Sequence, residues 1–319
     1  MNQPVWRPVW RALLFAGVII AVVTGARVFA ARHPARAPTP QQENSVTGRV
    51  PVLVELFTSE GCSSCPPADG LLARLVETQP VEGAEVVALE EHVDYWNRLG
   101  WTDPYSSSGF TQRQAEYSEA FGLEGAYTPQ MVVDGQAEFV GSDERQARQS
   151  IAQAAREQKT RVQIALAPGE QSPDHVTLTV KLAGAEAKEA DRIILAFTED
   201  KLSTVPARGE NSGRAWGHSS VARLTVLLGE QKPGAGGFSA TAVVTLPPEW
   251  RRQNMRVVAF VQEEKTRRIR GVGVTSLTKL TKLTTPTLPA KLSPVPGSLD
   301  ATGGTMPGSA SPVHIGVRP

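Results

Sequence analysis

Between two segments that lack periodicity, the chain arranges its apolar and polar positions in two different textures. In the first, Val50–Phe57 (VPVLVELF) is a continuous apolar run of strand length. Leu71, Leu72, Leu75 and Val76 then recur at helical spacing across PADGLLARLVETQ, and Asp69 sits where a first-turn acid suits the helix dipole. AEVVALEEHV reads as a second strand. SSSGFTQRQAEYSEAFG predicts a helix with a serine cap and Gly122 as its stop. PQMVVDGQAEFVG predicts two short strands joined at Asp134-Gly135, a strong hairpin signal. SDERQARQSIAQAAREQ predicts a closing helix with Ser142 and Arg145 in its first turn. The order βαβ, α, ββ, α predicts a mixed sheet with helices on its faces over residues 50–159.

The second texture alternates. RVQIALA, HVTLTVKL, RIILAFT, SVARLTVLL, ATAVVTL, MRVVAFVQ and RIRGVGV are candidate strands separated by Gly, Pro and Ser clusters. Their spacing predicts an antiparallel β-sandwich over residues 160–276. No internal repeat is visible. The flanks are different in kind. Residues 31–49 are rich in Pro, Ala, Gln and Thr and read as a flexible linker. Residues 277–319 are Thr, Pro, Leu, Gly and Ser without an aromatic, a composition expected to stay disordered.

Residues 1–30 carry a targeting signal. Arg7 and Arg11 precede an apolar run from Ala12 to Ala26, and Val28-Phe29-Ala30 offers a small-residue cleavage site. The competing reading is an uncleaved membrane anchor, because the run is nearly long enough to span a bilayer. Arg27 interrupts it and favours cleavage. Either way the body is expected to be periplasmic or secreted, in a compartment where disulfides persist. A membrane is expected as a partner only through that segment. The formal net charge of +1 argues against a nucleic-acid partner, which would need a basic surplus.

The chain has two cysteines, Cys62 and Cys65. A Cys-x-x-Cys pair after a strand and at the mouth of a helix, within βαβ, is the form of a thioredoxin-like redox site. The positive helix end favours the Cys62 thiolate, and Cys65 is close enough to resolve a mixed disulfide. Pro66-Pro67 are tolerated only in a helix's first turn, which sets the cysteines at its start. A structural staple is a poor alternative, since so short a loop stabilises by only about 2 kcal/mol. Two thiolates with His92 could instead hold copper, which favours soft sulfur ligands. No second cysteine pair exists for a closed zinc site.

The blocks VELFTSEGCSSCPPADGLL, HVDYWNRLGWTDP, RQAEYSEAFG, YTPQMVVDG and RGENSGR resemble the secreted bacterial family labelled domain of unknown function 1223, over roughly Val50 to Val274. The resemblance implies a thioredoxin-like domain followed by a β-rich domain, and it implies no defined activity. The looser likeness to thioredoxins implies further roles. Thr128-Pro129 matches the position of their cis-proline, which would present the Tyr127–Thr128 backbone to a bound peptide. Glu55 matches a buried acid that accepts the resolving thiol's proton; the alternative is a strand-end glutamate facing solvent or backbone amides. Asp94 and Trp96, after the second strand, lie where α/β folds place substrate loops. Glu210 and Asn211 would line the cleft if their loop folds onto the first half.

The resulting expectation is an exported thiol–disulfide oxidoreductase acting on protein thiols or disulfides, supplied by an upstream redox partner. Cys62 is the nucleophile, Cys65 the resolving thiol, Pro129 the substrate-positioning residue and Glu55 the proton carrier. Its cofactor would be the cysteine pair itself. The alternative is a non-enzymatic copper carrier or protein-binding module using Cys62, Cys65 and His92.

Overall fold

The computed structural model describes residues 48–168, 174–183 and 186–278, and the backbone of Val313–Gly316. The leader over 1–30, nearly all of the 31–49 linker and most of the 277–319 tail lie outside the described residues. Among the described residues no helix is long and apolar enough to cross a membrane.

The first half contains β1 (Val50–Thr58), α1 (Pro66–Thr78), β2 (Ala84–His92), a 3₁₀ turn (Asp94–Leu99), α2 (Ser108–Phe121), β3 (Gln130–Val133), β4 (Ala137–Val140) and α3 (Glu144–Ala154). α1 begins at Pro66 with Cys65 as its N-cap residue, where the two prolines have no helical hydrogen bonds to lose. Ser107 caps α2 by accepting from the Gly109 amide, and Gly122 ends it in the left-handed region at φ 68°. α3 starts at Glu144, with Asp143 accepting from the Gln146 amide, so Ser142 precedes its first turn. Asp134 and Gly135 both have positive φ, 49° and 65°, the requirement of a two-residue turn that matches strand twist.

The second half supplies β5 (Arg161–Pro168), β6 (His175–Ala183), β7 (Asp191–Glu199), β8 (Leu202–Thr204), β9 (Trp216–His218), β10 (Val221–Gln231), β11 (Phe238–Thr245), β12 (Met255–Glu263) and β13 (Ile269–Ser276). The tail expected to be disordered contributes one strand, β14 (Val313–Gly316), paired in parallel with β11; the expectation is corrected over those four residues, whose backbone bonds to a sheet edge.

The two halves do not form two sheets divided near residue 160. A single eight-stranded sheet runs β13-β12-β7-β10-β2-β1-β3-β4. β1 and β2 are parallel, β3 is antiparallel to β1, and β10 joins β2 in parallel at Val221–Glu90. The alternating strands were expected to pair only among themselves; four of them instead extend the sheet at β2, whose edge would otherwise present unpaired backbone groups. The remaining long strands form a second sheet, β14-β11-β6-β5, and β8-β9 is a small hairpin. The result is a mixed α/β fold with a large central sheet and further antiparallel sheets.

Register assigns the faces. Pairing places Leu56 beside Glu90 and Thr58 beside His92, so these four share the face on which α1 and α3 bury Leu71, Leu72, Leu75, Ala147 and Ile151. Phe197, Leu195 and Ile193 of β7 share one core with Val176, Leu178 and Val180 of the second sheet. Glu55, Phe57 and Glu91 point to the opposite face, which α2 covers with Tyr117. The second sheet approaches β13 so closely at Gly273 that an added Cβ would lie 2.7 Å from the Val162 carbonyl oxygen. Gly271 meets the Thr160 carbonyl in the same way. These glycines of the RIRGVGV strand are needed for backbone contact.

Candidate functional site

Cys62 and Cys65 form a disulfide at the start of α1, with a Cα–Cα separation of 5.5 Å. Both cysteines are fully buried, while Ser63 and Ser64 between them are exposed. Trp216 of β9 and half-buried Trp96 of the 3₁₀ turn pack on them. Trp96 Cβ would lie 3.0 Å from a Cβ on Gly61, so the residue before Cys62 must be small. The Trp96 indole N–H donates to Thr128 Oγ1 at 2.8 Å. The Thr128–Pro129 bond is cis. Pro129 Cβ, Ala68 Cβ of α1 and Leu56 Cδ1 of β1 converge on Gly141, which places the buried proline against the first turn of α1.

The loop between β8 and β9 closes over the pair. Asn211, fully buried, donates from Nδ2 to the carbonyls of Glu60 and Cys62, both at 2.9 Å. Glu210 Oε2 accepts the Ser63 amide at 3.1 Å, and hydrogen bonding to Ser63, from its side chain first and then this amide, lowers the Glu210 pKa. Glu210 and Asn211 therefore sit where the sequence placed them only conditionally.

The other residues expected to bind substrate have partners within the fold. Asp94 accepts from the Thr111 hydroxyl at 2.6 Å, fastening the 3₁₀ turn to α2. Tyr127 donates its hydroxyl to Glu138 at 2.7 Å, and its carbonyl accepts from Gln114 Nε2 at 2.7 Å. That carbonyl is thus already engaged by the protein.

Glu55 is buried, as an acid in an apolar strand should be when a partner exists, but it faces away from α1. Arg113 Nε and the Tyr117 hydroxyl each donate to it at 2.5 Å. Arg113 also lies 3.6 Å from Glu91. Burial first, then the Glu55 charge, push Glu91 well above the usual carboxylate range. Glu55 is therefore an internal ion-pair partner of α2, and the expected proton-carrier role does not fit its position.

A different acid lies on the correct face. Asp69 is one helical turn beyond Cys65 on α1, so the two project from the same side of the helix. It is 3% exposed. Thr58 donates to its Oδ1 at 2.7 Å, and its Oδ2 has no hydrogen-bond partner. Burial, reinforced by the Glu90 charge, raises its pKa to about 8. The sequence marked Asp69 only as a dipole-matched acid; its four-residue spacing from Cys65 was the available signal.

Behind Asp69 lies a buried network assembled from both halves of the chain. Glu90 Oε1 is shared by His218 Nδ1 at 2.7 Å and His92 Nε2 at 3.2 Å. His92 Nδ1 bonds Asp103 at 2.7 Å, and His218 Nε2 bonds Glu60 at 3.1 Å. Burial alone would raise Glu90, but the two histidine hydrogen bonds outweigh it and hold the pKa at about 2. Burial likewise opposes charging of His218, and its bonds to Glu60 and Glu90 prevail, raising it to about 9. His92 is raised well above its ordinary value by Asp103 and Glu90 against the same penalty. One nitrogen of each imidazole and a Glu90 oxygen lie within 4.8 Å of one another, a set able to hold a metal ion. His92 had been paired with the cysteines as a copper ligand. The structure engages the sulfurs with each other and both His92 nitrogens with carboxylates. The i, i+2 spacing of Glu90 and His92 on a strand signalled a shared face; nothing local pointed to His218.

Comparison with known proteins places this arrangement in context. No curated protein matches the chain. Its fold is similar to that of a protein from Agrobacterium tumefaciens known from an X-ray crystal structure, with 26% identity and a TM-score of 0.53 over 71% of this chain and 93% of that one. It is also similar in fold to HBP35 of Porphyromonas gingivalis, with 14% identity and a TM-score of 0.54 over 78% and 80% of the two chains. The family model described as protein of unknown function (DUF1223) matches residues 53–262, well over half of the chain, and the protein belongs to that family.

Proposed function

We propose that the protein is an exported thiol–disulfide oxidoreductase whose first half is a thioredoxin-like domain and whose second half supplies a β-sandwich layer and the cover over the site. The observation that supports this best is the Cys62–Cys65 disulfide at the N-terminus of α1, with buried Asp69 one turn behind it. β1 pairing with β2 in parallel and β3 antiparallel, with α1 and α3 on one face and α2 on the other, is the arrangement that such a domain requires.

The chemistry follows from the oxidised state. A substrate thiolate attacks Cys62 Sγ, the Cys62–Cys65 bond breaks, and Cys65 leaves with the electron pair. The neutral Asp69 carboxyl gives its proton to that leaving thiolate. A second substrate thiolate then attacks the substrate sulfur of the mixed disulfide and releases Cys62, whose negative charge the α1 dipole favours. Two electrons pass from a substrate dithiol to the cysteine pair, and an upstream disulfide-bearing partner would remove them. Because both sulfurs are buried, the Asn211 loop and Trp96 must move before the first step. A copper carrier is the weaker reading, since it needs free thiolates and a free His92 nitrogen.

The test is exchange with a dithiol peptide, followed by thiol counting and mass spectrometry. Wild type should oxidise one equivalent of peptide, Cys62→Ser should be inactive, and Cys65→Ser, offered the same peptide in its disulfide form, should accumulate a mixed disulfide at Cys62. A folded wild-type protein that leaves the peptide reduced sinks the proposal.

A further inference from the structure

The seam between β2 and β10 holds more polar machinery than a disulfide needs. We propose that Glu90, His92 and His218 bind a divalent first-row transition-metal ion, with zinc the best chemical match. This site is separate from the cysteines and does not depend on their redox role.

The geometry of the donor set is the first argument. His92 Nε2 and His218 Nδ1 both point at Glu90 Oε1, from 3.2 and 2.7 Å. Ligand atoms around a tetrahedral zinc with bonds of about 2.0–2.1 Å stand about 3.3 Å apart. The two spacings to Glu90 Oε1 lie within about 0.6 Å of that value, and the three donor atoms all lie within 4.8 Å of one another. All three side chains are buried, so an ion there would be shielded from water.

The second argument is the support behind each ligand. Metal-binding imidazoles usually donate their outer N–H to a carboxylate, which fixes both tautomer and ring orientation. Here Asp103 holds His92 Nδ1 and Glu60 holds His218 Nε2. Those carboxylates are themselves fixed: Asp103 accepts the Glu60 and Tyr105 amides at 2.9 Å, and Glu60 accepts the Trp101 indole N–H at 2.7 Å. The second oxygen of Glu90 accepts the Ser219 amide at 3.0 Å. Both imidazoles are thus oriented from behind, with the inner nitrogens left to converge.

The chemistry of the donors gives the third argument. The donor set is nitrogen and oxygen without sulfur, which favours zinc-like ions over copper(I).

The experiment uses the full oxidised protein after chelator treatment, titrated with Co²⁺ as a spectroscopic probe and then with Zn²⁺. One equivalent of Co²⁺ should produce visible absorption of a low-coordinate site, without a sulfur charge-transfer band, and Zn²⁺ should abolish it. Calorimetry in buffers of different ionisation enthalpy should show stoichiometric binding coupled to proton release. Glu60→Gln should weaken binding by about 10- to 100-fold, as expected for loss of an orienting carboxylate, and Cys62→Ser should leave it unchanged. Histidine nitrogen resonances of the wild type give an answer that does not depend on any variant folding, because two imidazoles should shift with one equivalent of Zn²⁺. No stoichiometric binding to the wild type, or binding that requires reduced cysteines, overturns the proposal; so does undiminished binding in a folded His218→Gln variant.

Discussion

Asp69 offers a quantitative test of the site, because its predicted effect has a sign and a slope. In the unfolded chain its carboxyl ionises near 3.8, and in the fold burial and Glu90 raise it to about 8. Between these values the folded protein binds one proton more than the unfolded chain, so stability falls as pH rises, by about 1.4 kcal/mol per pH unit. Asp69→Asn removes this dependence. An asparagine at this position keeps an acceptor for Thr58 but places an unpartnered donor where Oδ2 was, a fixed cost of about 1–3 kcal/mol. That cost does not vary with pH. The difference in unfolding free energy, variant minus wild type, should therefore rise by about 4 kcal/mol from pH 5 to pH 8. The assay is urea denaturation of the oxidised protein at a series of pH values with chelator present, so that protons alone occupy the histidine cluster. His218 and Glu90 are present in both proteins, so only their coupling to Asp69 enters the difference. A difference that stays flat across this range would mean that Asp69 is ionised in the fold, and its role as proton donor to Cys65 would fail with it.

Three other substitutions probe the surroundings. Asn211→Ala removes two donors from the Glu60 and Cys62 carbonyls; at about 1 kcal/mol each, disulfide reduction by dithiothreitol should accelerate by about 30-fold, and an unchanged rate in a folded variant would show that this loop does not control access. Arg113→Met leaves Glu55 and Glu91 buried without their cation, and should cost about 3–5 kcal/mol while leaving the cysteine reduction potential unchanged; a marked shift in potential by glutathione equilibration would return Glu55 to the redox site. Gly271→Ala, which drives a Cβ into the Thr160 carbonyl, should destabilise by about 2–3 kcal/mol, whereas Gly217→Ala, with open space around it, should not lower the melting temperature through a clash.

Much of this arrangement was legible in residue order because local rules govern it. Pro66-Pro67 could begin a helix but not continue one, Asp134-Gly135 could make a tight hairpin, and each alternating segment of the second half became a strand. Pairing between distant segments was not legible. β2 and β10 meet at Val221–Glu90, and neither strand's periodicity names the other. The same limit applies to charges. An acid inside VLVELF announces burial, yet the choice between a proton carrier and an ion pair depended on Arg113 arriving from α2 on the opposite face. His218 became part of the site only because β9 brings it under β2, where Trp216 stacks on it with ring centroids 5.5 Å apart.

That seam changes what the second half does. A disulfide on β1–α1–β2 alone would have an edge strand at β2 and a helix mouth open to solvent. Instead β10 covers the edge, the β8–β9 loop donates Asn211 to the Cys62 carbonyl, and Trp216 packs on both sulfurs. His218, from the same hairpin, bonds Glu60 just before the cysteine loop and Glu90 beneath it. On the proposed function, a substrate that displaces the Asn211 loop would act on a hairpin whose histidine is anchored in the buried network. His218 thus ties this hairpin to Glu90, whose charge adds to burial in raising the Asp69 pKa. Loss of the His218 contact would remove a cation that lowers the Asp69 pKa, so Asp69 would hold its proton more firmly. On the proposed oxidoreductase reading, the second half would be a working part of the thiol site, because the access route and the proton donor would share the Glu90–His218 contact.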